Sequence, residues 1–151
     1  KEIKIKKPVR KEVKVINYDA KGMVLGRLCS VIAKKLMLGY KINVYNVEKT
    51  VMTGDSKVIF DEYTVKLNFR GKGNPEKGPK YPRGPEKMFK KALLRMLPHK
   101  KATGRDAMKR FKAYIFNEDN VKLEIAKEAQ LKQGVKYIEL GALSTKLGFK
   151  W

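Results

Sequence analysis

The sequence has little of what catalysis and membrane insertion require. It contains one cysteine, Cys29, and one histidine, His99. No intrachain disulfide, no Cys-His pair and no four-ligand zinc set can be assembled from them. A single thiol suits a reducing compartment such as the cytosol or nucleus. The longest apolar run is four residues, Ala113 to Phe116, against the roughly 18 to 20 that a membrane-spanning helix needs. The opening KEIKIKKPVRKE is charged throughout and has no apolar stretch of the secretory-signal type. Asp61 and Glu62 are adjacent and, on a helix, diverge by about 100°, which does not suit a paired acid/base site. Phosphate-loop spacing is missing as well. Gly22 and Gly26 sit in a turn before a helix, but Arg27-Leu28 follow where Walker A requires Lys and Ser/Thr, and the dinucleotide pattern G-x-G-x-x-G fails too.

Acidic residues are also scarce, and that shortage is informative. Against 36 Lys+Arg stand 15 Asp+Glu, a net charge of +21 on 151 residues. Self-repulsion on this scale points to a partner of dense negative charge, either nucleic acid or an anionic membrane. The excess is unevenly distributed: residues 1–14 carry +5, 15–65 carry +2, 66–112 carry +13 and 113–151 carry +1. A uniformly solubilising coat would not be so segregated. A basic tail over 1–13 and one domain over 14–151, with its binding loop and helices at 66–112, is the organisation expected.

Periodicity places this segment on a scaffold. Lys14 to Tyr18 reads as a strand closed by the turn Asp19-Ala20-Lys21-Gly22. Leu25, Leu28, Cys29, Ile32, Ala33, Leu36 and Met37 repeat with helical spacing up to Leu38, and Gly39 supplies the stop. Ile42 to Val47 is the next strand. Strand, helix and strand in this order make a βαβ unit with a parallel pair. Lys57 to Leu67 predicts a second helix with Val58, Ile59, Tyr63 and Leu67 inward. A third is predicted from Pro85 to Leu97, and a fourth from Arg105 to Phe111 after Gly104. Lys112 to Phe116 is a strand candidate and Ala142 to Leu147 a short helix, whereas Val121 to Leu131 fits helix or strand.

Between the second and third helices lies FRGKGNPEKGPKYPRGP, with four glycines and four prolines in 17 residues. This is a semi-rigid loop too long for a simple connection. It carries Arg70, Lys72, Lys77, Lys80, Tyr81 and Arg83. On the third helix the apolar set Met88, Phe89, Ala92, Leu93, Met96 and Leu97 covers about half the wheel, and Lys87, Lys90, Lys91 and Arg95 fall on the other half. His99, Lys100 and Lys101 form the following turn, and Arg105, Lys109 and Arg110 the next helix. Such a surface suits phosphate neutralisation, with arginine adding forked donors and Tyr81 and Phe69 able to stack on unpaired bases. Arg27, at a helix start, is placed to meet one further phosphate. RNA is preferred to DNA because no helix-turn-helix, zinc-finger or basic-zipper pattern is present. A membrane surface fits less well, since the apolar faces are needed for a core.

VLGRL (24–28), AKKL (33–36), a strand followed by Thr53-Gly54, NPEKGPKYPRGPEKMFKKALLRMLPHKKATGRDAMKRFKAY (74–114) and KYIELGALSTKLGFKW (136–151) together resemble the large-subunit ribosomal protein thirteen family in its archaeal and eukaryotic form. The likeness runs from about Lys14 to Trp151. It implies a three-layer α/β/α fold with a short, mainly parallel sheet, no cofactor, no catalytic residue and no small-molecule substrate. It further implies a structural role bound to large-subunit rRNA beside neighbouring ribosomal proteins, in the cytoplasmic ribosome, with nucleolar assembly in a eukaryote. Relatives of the eukaryotic form continue into a basic helical extension past the position of Trp151, and the tail Lys1 to Lys11 is expected to add an RNA or protein contact. The competing expectation is an RNA-modifying or RNA-processing enzyme on the same core, whose best feature is the turn Gly22 to Arg27. A third, a freestanding RNA chaperone or regulator, differs only in where the chain resides.

Overall fold

The computed structural model describes residues 14–117 and 121–150; the expected tail contact lies outside them. The βαβ unit forms as its periodicity dictates. Strand β1 (Val15–Asp19) leads through helix α1 (Leu25–Met37) to β2 (Lys41–Tyr45), which pairs parallel to β1 with Val15 opposite Lys41. Leu28, Ile32 and Leu36 of α1 are fully buried, as are Ile42 and Val44 of β2. Leu38 closes the helix and Gly39 follows with φ +99°, a conformation in which a Cβ would be strained. Met37, at the far end of the apolar series, projects outward.

Helix α2 (Ser56–Asn68) follows the short strand β3 (Val51–Thr53), its first turn capped by Asp55, whose carboxylate accepts from the Lys57 amide at 2.9 Å. Beyond the long loop come α3 (Pro85–Met96), α4 (Ala102–Lys109), β4 (Phe111–Ala113), β5 (Tyr137–Glu139) and α5 (Leu140–Lys146). Strand β4 joins the other edge of β2 in parallel, so the sheet runs β1-β2-β4, while β3 and β5 form a separate antiparallel pair. Helices and parallel sheet make the open three-layer α/β arrangement. One core joins α1, the sheet, α3 and α5, with Phe89 of α3 stacked on Phe111 of β4 at 5.7 Å between ring centroids.

Four expectations are corrected. Val58 is not inward: it is 57% exposed, and α2 touches the core only through half-buried Ile59, Phe60, Tyr63 and Leu67. Met96 is 46% exposed although Leu97 beside it is buried in the core, so the end of α3 presents Leu97 inward and leaves Met96 outside. The fourth helix starts at Ala102 and takes Gly104 into its first turn, and the strand after it is three residues long. Val121 to Leu131 is neither helix nor regular strand. It is a strap along the free edge of β1, where Asp19 donates to the Glu124 carbonyl at 3.0 Å and Glu124 to that of Asn17 at 2.8 Å, before a 3-10 turn at Lys127–Ala129. An edge strand left bare would invite pairing with another chain, and the strap prevents it.

Candidate nucleic-acid interface

The basic loop, residues 69–84, is shaped by its own polar side chains. The Asn74 side-chain oxygen accepts from the amides of Glu76 at 3.1 Å and Lys77 at 3.3 Å, and Gly78 donates to the Pro75 carbonyl at 3.3 Å. At its exit, Ser144 of α5 donates its hydroxyl to the Arg83 carbonyl at 2.6 Å, and Gly84 lies against the Phe149 ring, where a Cβ would come within 3.0 Å. Lys91 of α3 ties the same stretch down, donating to the Lys80 carbonyl at 3.0 Å with its ammonium 3.5 Å from the centre of the Tyr81 ring. Arg70, Lys80, Tyr81 and Arg83 line one groove with Phe69.

A second cleft, of about 150 Å³, lies between α2, α3 and the loop, lined by Tyr63, Lys66, Tyr81, Lys91 and Arg95 among others. Burial raises the Tyr63 hydroxyl above its ordinary value, opposed by the nearby Arg95 charge. Burial lowers the Lys91 ammonium, and Arg95 pushes it the same way. Lys66 is paired with Glu62 at 3.3 Å, and the two aromatic rings with Lys91 and Arg95 beside them make a setting for a base and its phosphate.

Along α3 the outward positions are Lys87 and Arg95, with Lys90 half-buried, because Met88, Phe89 and Leu93 turn inward. The basic turn His99-Lys100-Lys101 is exposed, as are Arg105 and Lys109 of α4. This turn is held by a residue whose role the sequence reading missed. Gly104 packs so closely on the turn that a Cβ there would stand 2.2 Å from the Pro98 carbonyl oxygen. A glycine inside an otherwise helical stretch was the available signal. Among the described residues, the predicted contact positions take part in one ion pair only, Lys109 with Asp106 at 3.1 Å. Most of the positive field is therefore uncompensated within the protein.

Two predicted residues are committed elsewhere. Arg110 donates to the Leu36 carbonyl at the end of α1, at 2.8 Å, and is half-buried. Arg27 is exposed and its guanidinium reaches the Gln130 carbonyl at 3.3 Å, on the strap rather than beside the loop. Val24, at the cap position of α1, supplies no side-chain hydrogen bond.

The family model of ribosomal protein L13 matches residues 13–120. The chain belongs to the ribosomal protein L13 family. The large ribosomal subunit protein uL13 of Methanopyrus kandleri is 40% identical, over 95% of this chain and 92% of the relative. That of Aeropyrum pernix is 38% identical, over 92% of this chain and 93% of the relative, and that of Archaeoglobus fulgidus 40%, over 87% and 86%. Membership of the L13 family makes this a structural, non-enzymatic ribosomal protein. Burial pushes the Cys29 thiol up to about 12, leaving it a protonated core side chain. No group of three or more His, Cys, Asp or Glu suited to a metal occurs among the described residues. No helix among them is long and apolar enough to cross a membrane.

Proposed function

We propose that this L13-family chain anchors large-subunit rRNA through the surface built from residues 66–112, during assembly and in the mature ribosome. The observation that supports it best is segregation. The cations of the loop, the outer face of α3, the 99–101 turn and α4 carry one ion pair among the described residues, while residues 15–65 and 113–151 of the sequence carry only +2 and +1. Arg70, Lys72, Lys77, Lys80, Arg83, Lys87, Lys90, Arg95, His99, Lys100, Lys101, Arg105 and Lys109 serve as the RNA contacts. Tyr81 is held by Lys91 beside the Arg95 cleft, where it can stack on an unpaired base. In this reading Lys91 and Arg110 position the surface more than they touch RNA, and Arg27 adds an outlying phosphate contact. The protein works in the cytoplasmic ribosome among neighbouring ribosomal proteins.

The test is the salt dependence of affinity for large-subunit rRNA. Each neutralised phosphate contributes about 0.7 to 0.9 to the slope of log K against log salt, so a steep slope is expected and one near one overturns the proposal. Co-sedimentation with the large subunit at high salt separates a resident scaffold from a freestanding RNA binder.

A further inference from the structure

Helix α2 departs from the rest of the molecule in charge and in packing. Asp55 at its cap, Asp61 and Glu62 outnumber Lys57 and Lys66, so this stretch is net negative in a chain of +21. None of its 13 residues is fully buried, and it makes only marginal contact with any single element. A helix of this length has little stability of its own and depends on what its faces pack against.

Its outer face is apolar. At about 100° per residue, Val58, Val65 and Phe69 fall within about 40° of one another, with Glu62 along one side and Asp61 along the other. They are 57%, 69% and 61% exposed. Phe69, which also lines the basic groove beside Arg70, thus ends a stripe that begins about three turns earlier at Val58. Beyond the start of the helix, a shallow groove at Gly54 and Asp55 is lined by Val135 and Tyr137, also 42% and 50% exposed.

From this arrangement we infer that the outer face of α2 docks a basic protein segment of the large subunit. Apolar side chains of the partner cover Val58, Val65 and Phe69, and its Lys or Arg residues meet Asp61 and share Glu62 with Lys66. The inference rests on the ribosomal placement proposed above. Charge decides the occupant. RNA phosphates would face two carboxylates over aliphatic side chains, with Lys66 already held by Glu62 at 3.3 Å. A second copy of this chain would bring another strongly positive body against the first. A basic segment with apolar side chains meets both the stripe and its acidic borders.

The experiment places a photoreactive amino acid at position 65, and separately at position 90 on α3, in the full chain assembled into large subunits. Cross-linked products are then mapped. The expected result is a ribosomal protein peptide carrying Lys or Arg from position 65, and rRNA from position 90. With the probe moved to position 58, Val65→Asp should cut the protein adduct about tenfold. Val65→Asp should leave the free protein's rRNA affinity within about twofold, because the site is exposed and distant in function from the basic face. An rRNA adduct at position 65, an adduct to residues 1–13, an adduct to a second copy, or none in assembled subunits would overturn the inference while leaving the ribosomal role standing. Failure of the unaltered chain to enter large subunits would remove both.

Discussion

Helices α2 and α3 are of almost equal length and flank the same cleft, yet they divide their side chains in opposite ways. In α3 the large apolar residues Met88, Phe89 and Leu93 are buried, and the cations take the outside. In α2 no residue is fully buried, the charges nearly balance, and valines stand in solvent. The contrast separates two kinds of exposed face, one of unneutralised charge and one of uncovered aliphatic side chains, and each suits a different kind of partner. Unneutralised cations favour an anion, and an uncovered aliphatic stripe favours another apolar surface.

That contrast can be broken most directly in the core. Phe89→Ala removes a fully buried ring stacked on Phe111 and should cost about 3 to 5 kcal/mol in denaturant unfolding. A much smaller loss would mean that α3 is not the core-facing helix. Gly104→Ala should cost about 1 to 3 kcal/mol, since the added Cβ meets the Pro98 carbonyl and the turn must shift. It should also lower rRNA affinity by displacing Lys100 and Lys101, and a variant of native stability would refute the close packing.

Exchanging Lys87, Lys90 and Arg95 together for glutamine should lower the salt slope by about 2 and weaken rRNA binding more than tenfold, or about 1.4 kcal/mol. Unfolding should barely change. If instead stability collapses as in Phe89→Ala, these residues are structural and the face is misassigned.

Smaller effects sharpen the comparison. Glu48, in the turn beneath α3, is 8% exposed, and burial raises its carboxyl above the ordinary glutamate range. Its proton is held more tightly in the folded state than in the unfolded one. The associated stability is therefore present below the unfolded pKa and is lost as pH rises through the folded value. Glu48→Gln should gain up to about 1 kcal/mol at neutral pH and nothing in acid, as measured by unfolding across pH. Last, Val65→Ala on α2 should change the stability of the isolated protein by no more than about 0.5 kcal/mol. A larger loss would show that the stripe packs within the chain.

Legibility tracked how local the determining contacts were. The α1 stripe from Leu25 to Leu36 was readable because more than three turns of sequence carried one uninterrupted period, and burial followed it residue by residue apart from Met37 at the end. The outward cations of α3 were readable for the same reason. Val58 was misread because hydrophobicity alone does not say whether a neighbour arrives to cover it. Strand β5 went unnoticed because three residues carry no period, and its partner β3 lies far away in sequence. The start of α4 was misplaced because Gly104 normally ends or interrupts a helix, and its use for a close approach to Pro98 exists only in three dimensions. Among the interface positions, Lys91 and Arg110 read like any other cation. Their acceptors, the Lys80 and Leu36 carbonyls, are backbone groups with no sequence signature.

By itself the sequence determined the class of partner, the βαβ start of the fold and the segment that holds the charge, because charge and short-period hydrophobicity are properties of neighbouring residues. Only the tertiary structure decided which cations project and which are tethered, that residues 121–131 strap the edge of β1, and that α2 keeps an uncovered face. Those outcomes depend on which surfaces meet, and a surface is assembled from residues that the chain brings together from far apart.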